Sequence, residues 1–154
     1  MSNLGSIHTY RSEVDQIILF GGSTKEIPDP ATGAGSYICE IIEYLPKPVL
    51  ARKYKSELHA NEVAILPYYI ANLNIETAFA AKMGSYAPFE NICFVDTLDN
   101  TEGLRVDNQW ELGGLSVENT RRIKEQNKRK ISVIIGNPPY NANLLPMNQT
   151  NDTK

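Results

Sequence analysis

The amino-acid sequence predicts an α/β fold: an open, mainly parallel sheet with crossover helices, amounting to half of a doubly wound architecture. Three observations carry that reading. Short apolar stretches alternate with longer stretches of helical period, a glycine-bearing loop opens one of the helices, and an aliphatic run, Ile131 to Gly136, stops at Asn137-Pro138-Pro139-Tyr140.

Taken in order, Gln16 to Phe20 is apolar enough for a strand, but Gly21-Gly22-Ser23-Thr24 breaks it. Lys25-Glu26-Ile27-Pro28 reads as a poor strand, because proline brings no donor to a ladder. Asp29-Pro30-Ala31-Thr32-Gly33-Ala34-Gly35-Ser36 then precedes an apolar-periodic segment, Tyr37 to Leu45, ended by Pro46 and Pro48. This predicts a glycine loop opening a helix. Gly33 and Gly35 can take dihedrals closed to other residues and leave no Cβ in a ligand's way, while amides at the helix start and the Asp29 carboxylate can hold opposite ends of a zwitterion. The loop is not a full GxGxxG dinucleotide motif, since Ile38 fills the third glycine position, and it lacks the Lys-Ser/Thr pair of a phosphate loop.

Ser56 to Asn61 is expected to form a short strand, and Glu62 to open an apolar helix running to Met83, with Pro67 bending or delaying it and Gly84 as its C-cap. Asn91 to Val95 is the third strand, followed at once by Asp96, which on its own could simply cap a turn. Asp99 to Gly114 lacks periodicity and reads as a long loop, with Trp110 as a local packing anchor. Ser116 caps a polar helix with Glu118 in its first turn and Arg121, Arg122, Lys124, Lys128, Arg129 and Lys130 toward its end. That charge order suits the macrodipole, and a solvated crossover helix explains the basic run more commonly than DNA-phosphate binding does.

The β-branched run from Ile131 is expected to be a buried strand that must stop at Pro138 and Pro139, which have no amide proton. Asn137 then offers an amide oxygen and Pro138 a backbone carbonyl, two acceptors for the two hydrogens of one exocyclic amino group, and Tyr140 a ring face. This is chemistry for a planar amine.

Asp29-Pro30-Ala31-Thr32-Gly33-Ala34-Gly35 followed by Asn137-Pro138-Pro139-Tyr140 resembles the S-adenosylmethionine-dependent N6-adenine DNA methyltransferases. Tyr54 to Glu76 and Pro88 to Leu98 look like the methylase part of type ISP restriction-modification proteins, and the resemblance covers residues 29–141. It implies a partial Rossmann-like class I methyltransferase fold, with residues 1–28 as a divergent lead-in, 29–140 as the N-terminal half of the catalytic domain and 141–154 as a polar, disordered tail. It further implies that S-adenosylmethionine is held by Asp29, Ala31, Thr32, Gly33, Gly35, Glu62 and Asp96. Glu62 matches the acid that accepts both ribose hydroxyls, a role compatible with its being a charge favoured at a helix start. Asp96 matches the residue that bonds the cofactor's adenine amino group. Asn137, Pro138, Pro139 and Tyr140 are the implied catalytic set. Family members carry an aliphatic strand directly before the Asp-Pro pair, so Pro28 is a departure that bears on where Asp29 sits.

In that family the methylase lies within a much longer polypeptide that includes nuclease, helicase and target-recognition regions. The expectation is therefore a truncated fragment that meets DNA through a recognition region outside these 154 residues, with complementing methylase or helicase segments as partners. A non-catalytic remnant that binds cofactor weakly or not at all is the competing expectation. Protein-glutamine methyltransferases also use Asn-Pro-Pro-Tyr, but their glycine motif resembles Asp-Leu-Gly-Thr-Gly-x-Gly, not Asp29-Pro30-Ala31-Thr32-Gly33.

Composition bounds these readings. With 42% hydrophobic and 21% charged residues, the chain suits one globular domain. Met1 to Arg11 is polar, no stretch has transmembrane length, and a cytoplasmic location is the default expectation. Two separated cysteines, Cys39 and Cys93, suit neither a disulfide scaffold nor a zinc site and read as packing residues. The net charge of −3 gives no independent support for nucleic-acid binding, and the Asn-x-Thr triplets at Asn148 and Asn151 read as chance.

Overall fold

The computed structural model describes residues 25–97 and 115–138. The elements run β1 (Ile27–Asp29), α1 (Ser36–Tyr44), α2 (Lys47–Ser56), β2 (Leu58–Glu62), α3 (Ile65–Met83), β3 (Ile92–Phe94) and α4 (Leu115–Asn127). The strands form a parallel sheet in the order β1-β2-β3, with Ile27 opposite Leu58 and Ala60 opposite Ile92. Consecutive parallel strands need helical crossovers, which α1 to α3 supply, so the predicted α/β class with a parallel sheet holds. No helix among the described residues is long and apolar enough to cross a membrane.

The sheet is covered on both faces. Because successive strand residues point to opposite sides, Ile92 joins the main core with Ile27, Leu58, Ile38, Ile42 and Ile75, while its neighbour Cys93 joins Val95 and Ile123 of α4 in a second, smaller core. Both cysteines are free thiols. Tyr54 of α2 fixes one corner of the main core by stacking on Phe79, ring centroids 3.7 Å apart, and donating its hydroxyl to the Ala87 carbonyl. On the outer side of β3, Asn119 of α4 acts as a substitute strand: its amide accepts from Phe94 N and donates to Phe94 O, both at 2.7 Å.

Three elements differ from the sequence expectation. Ile27, Pro28 and Asp29 form a fully buried strand, although Lys25 to Pro28 reads as a poor one. Pro28 fits because the ladder alternates sides: Ile27 N donates toward β2, to Glu57 O, whereas the nitrogen of Pro28 faces away from β2. Residues 131–135 run along that far side as extended chain, with Ser132 N and Val133 N donating to Glu26 O and Ile135 N to Pro28 O. They make only an isolated parallel bridge, Glu26 to Ile131, in place of the expected buried strand. The reason is the same proline, which has no N–H to complete the ladder, and Ile131 and Ile134 stay exposed. Pro48, read as a helix stop, instead lies in the first turn of α2, where no amide proton is needed.

The remaining differences are small. The second strand runs Leu58–Glu62 rather than Ser56 to Asn61, and Glu62 closes it rather than opening the helix. Pro67 falls in the first turn of α3, and Gly84 caps its end with φ 80°, its N–H donating to Ala80 O. The readings at Gln16 to Phe20, Trp110, Pro139, Tyr140 and 141–154 lie outside the described residues.

Candidate functional site

All three parallel strands exit at the same edge of the sheet, and every site residue of the described chain lies at or just beyond an exit. In such sheets, ligands bind outside the carboxyl ends of the strands.

The β1 exit is built around Asp29. Its side chain is fully buried; Oδ1 accepts from Ala31 N at 3.2 Å, and Oδ2 has no hydrogen-bond partner among the described residues. Burial pushes the carboxyl up from 3.8 to about 6, the Ala31 amide opposing and the Glu62 charge adding to the rise. Thr32 ties the loop down by donating its hydroxyl to Asp29 O and its amide to Asn61 O, both at 2.9 Å.

Gly33 and Gly35 both have left-handed backbone, φ 57° and 85°. They differ in what surrounds them. A Cβ on Gly33 would meet nothing within 4 Å, so this position opens to space, as expected for close approach of a ligand. A Cβ on Gly35 would lie 3.1 Å from Ile75 Cγ1 and 3.3 Å from Ala71 Cα, so this glycine serves the close packing of α1 on α3.

Glu62 ends β2, nearly buried, with Oε2 accepting from Gly33 N and Oε1 from Ala64 N, each at 2.8 Å. Each oxygen keeps a second lone pair. Beyond β3, Val95 N continues the ladder to Glu62 O, and Asp96 and Thr97 follow, half-buried. The Thr97 hydroxyl donates to Pro30 O at 2.9 Å and accepts from Asn61 Nδ2 at 3.3 Å. Asn61 Oδ1 is buried without a hydrogen-bond partner among the described residues.

The chain after Ile135 crosses the β1 exit tightly. A Cβ on Gly136 would stand 2.9 Å from Asp29 Oδ1 and 3.2 Å from Pro30 Cδ. Asn137 and Pro138 follow, exposed at this edge. Asp29, Ala31, Thr32, Gly33 and Glu62 thus meet through direct hydrogen bonds, Asp96 sits on the adjoining turn, and Asn137 is one residue from the contact with Asp29. Sequence reasoning missed Asn61 and Thr97; the available signal was a polar residue inside a buried strand beside Glu62 and a hydroxyl directly after Asp96.

No protein-family model and no curated protein matches the chain. Solved structures do. A DrdV–DNA complex seen by cryo-electron microscopy contains a segment 53% identical to this chain, with a TM-score of 0.69, covering 80% of this chain and 12% of that one. A nuclease-deletion mutant of the Type ISP restriction-modification enzyme LlaGI, in complex with a DNA substrate mimic, matches at 35% identity and TM-score 0.68, over 78% of this chain and 10% of that one. The ATP-dependent Type ISP restriction-modification enzyme LlaBIII bound to DNA matches at 35% identity and TM-score 0.69, over 82% of this chain and 10% of that one. The chain therefore spans about one-tenth of the length of these proteins. Similarity at this level supports a restriction-modification-related role.

Proposed function

We propose that the chain is the cofactor-binding part of an adenine-specific DNA methyltransferase of a restriction-modification enzyme, acting on adenine N6. The observation that carries the reading is the convergence at one sheet edge of the Asp29 to Gly35 loop, the acid closing β2, the acid after β3 and the Asn137-Pro138 loop.

The chain's residues fit S-adenosylmethionine by donor and acceptor count. The cofactor's ammonium and ribose diol bring hydrogens to share, and the edge offers acceptors with spare capacity: the unpartnered Asp29 Oδ2 and the remaining lone pairs of Glu62. Open space at Gly33 leaves the loop approachable. When bound, S-adenosylmethionine supplies a methyl group already activated by its sulfonium, so no covalent enzyme intermediate is needed.

The protein's own work is then positioning and electrostatics. With the target adenine flipped from the duplex, the Asn137 amide oxygen and the Pro138 carbonyl accept the two amino hydrogens and orient the nitrogen lone pair. The same acceptors stabilise positive charge as it grows on nitrogen, which is where binding energy raises turnover. Tyr140 provides the stacking surface in this reading.

Titration calorimetry of the chain with S-adenosylmethionine tests it. Micromolar binding that Glu62→Gln weakens about tenfold is the expected result. A folded wild-type chain that takes up no cofactor would overturn the reading. In a longer protein carrying this segment, Asn137→Ala should cut turnover and leave cofactor affinity nearly unchanged.

A further inference from the structure

We infer that Thr97 is a positioning residue that sets the spacing between the two halves of the cofactor cleft, acting through Pro30 and Asn61; the inference rests on the cofactor reading above. A hydroxyl has one hydrogen to give and lone pairs to receive, and Thr97 uses both toward different strands. It donates to Pro30 O just past β1 and accepts from Asn61 Nδ2 near the end of β2, while itself lying just past β3. Asn61 O in turn receives Thr32 N, which closes a ring of hydrogen bonds through the glycine loop, β2 and the turn after β3.

That ring determines where Asp96 stands. Asp96 is the immediate neighbour of Thr97, and on its other side Val95 is held by Glu62 O. The turn carrying the proposed adenine-binding acid is therefore pinned at both sides of Asp96, once to the β2 exit and once to the glycine loop. Glu62, the proposed ribose acceptor, is pinned to the same loop through Gly33 N. Thr97 thus fixes the distance between the acceptors for the two ends of an adenosine.

The brace differs from ordinary packing. The Thr97 hydroxyl and the Pro30 carbonyl lie beyond the strand ends, and the third member, Asn61 of β2, leaves its Oδ1 buried without a partner among the described residues. A buried acceptor without a donor is unfavourable, so the asparagine costs stability that an apolar residue would not. What it supplies in return is the donor it turns toward Thr97.

The test compares Thr97→Val and Thr97→Ser in the full 154-residue chain by titration calorimetry with S-adenosylmethionine and by thermal unfolding. Valine keeps the shape and removes the donor and acceptor, whereas serine keeps both. Expected is an affinity about tenfold weaker for Thr97→Val, recovery to within about threefold of wild type for Thr97→Ser, and melting temperatures for both within about 4 °C of wild type. Wild-type binding with Thr97→Val equal to it overturns this inference alone. A Thr97→Val chain that fails to fold, or a serine variant as weak as the valine one, assigns Thr97 to stability and overturns it too. A wild-type chain that binds no cofactor removes the cofactor reading and this inference together.

Discussion

At the amino-terminal end of the sheet the carboxylates of Glu26 and Glu57 face cations; at the carboxy-terminal end those of Asp29 and Glu62 accept hydrogen bonds from backbone amides among the described residues. The strands make this comparison close to a controlled one. Glu26 and Asp29 bracket β1, and Glu57 and Glu62 bracket β2. At the first end, Glu57 takes the Lys53 ammonium at 2.7 Å with Arg52 3.5 Å from its other oxygen, and Glu26 takes Arg129 and His59. Glu57 Oε1 and Asp29 Oδ2 both lack a hydrogen-bond partner among the described residues, but only the first has a cation near it to balance its charge. The difference separates what holds the fold from what is kept available for a ligand.

Breaking the paired end should have the largest effect. Lys53 and Glu57 are both almost completely inaccessible, so Lys53→Met leaves a buried carboxylate with the Lys25 amide and, as a charge partner, the more distant, half-exposed Arg52. Removing one partner of a buried ion pair costs about 3–5 kcal/mol, and denaturant unfolding should show a loss of that size. Adding Glu57→Leu should restore much of it, since the unpaired charge then disappears as well. A single mutant within about 1 kcal/mol of wild type would show that the pair is not what steadies this end.

The second prediction sharpens the contrast through pH. Asp29 holds its proton more tightly in the folded chain, about 6 against 3.8, so its contribution to stability is greatest below about pH 4 and is lost as pH rises through 6. His59 behaves oppositely. Burial lowers its pKa against the opposing effect of Glu26, so its contribution is present above 6.5 and is lost as pH falls. Asp29→Asn should therefore be more stable than wild type by about 2 kcal/mol at pH 8 and equal to it near pH 4. Melting curves for the two chains that stay parallel across this range would show that Asp29 is not desolvated as the geometry indicates.

How much of this was legible in the sequence follows the same division. The glycine loop, the helix closed by Gly84, the strand ended by Asp96 and the acid at Glu62 are written in local signals, which chemistry near the exits requires. The paired end was not readable. Lys53 looks like one more solvated lysine, and only its i,i+4 partner being buried with it shows otherwise. Pro48 carries the same identity whether it stops a helix or starts one. The broken ladder at 131–135 depends on which side of β1 the Pro28 nitrogen faces, a fact of three-dimensional register. Asn61 and Thr97 are ordinary polar residues until the three exits are brought together.

Between the two ends, Gly136 tests how closely the planar-amine loop is coupled to Asp29. A methyl group there would come within 2.9 Å of Asp29 Oδ1, which already accepts from Ala31 N and cannot swing freely in its buried position. Gly136→Ala should destabilise by about 1–2 kcal/mol through overpacking and displace the loop bearing Asn137. Gly84→Ala offers a control, since a Cβ at Gly84 meets nothing within 4 Å and only its backbone conformation resists. A larger change in S-adenosylmethionine affinity for Gly136→Ala than for Gly84→Ala would tie the loop to the cleft; equal changes would separate them.

The smallest effect concerns two arginines that the sequence places in one basic run. Arg121 pairs with Glu118 one turn away on an exposed helix face, an arrangement in which solvent screening and side-chain entropy offset most of the attraction. Arg129 lies beyond the helix and reaches Glu26 at 3.1 Å and the Ser56 carbonyl at 2.8 Å, joining the chain after α4 to the amino-terminal ends of β1 and β2. Arg129→Ala should lower the melting temperature by roughly 2–4 °C, while Arg121→Ala leaves it unchanged within error. Raised salt should narrow the difference only slightly, because the bond to the Ser56 carbonyl has no charge on the acceptor and Glu26 is largely buried. Equal melting temperatures for the two variants would mean that the paired end owes its rigidity to Lys53 and Glu57 alone, with Arg129 as solvated as its neighbours in the run.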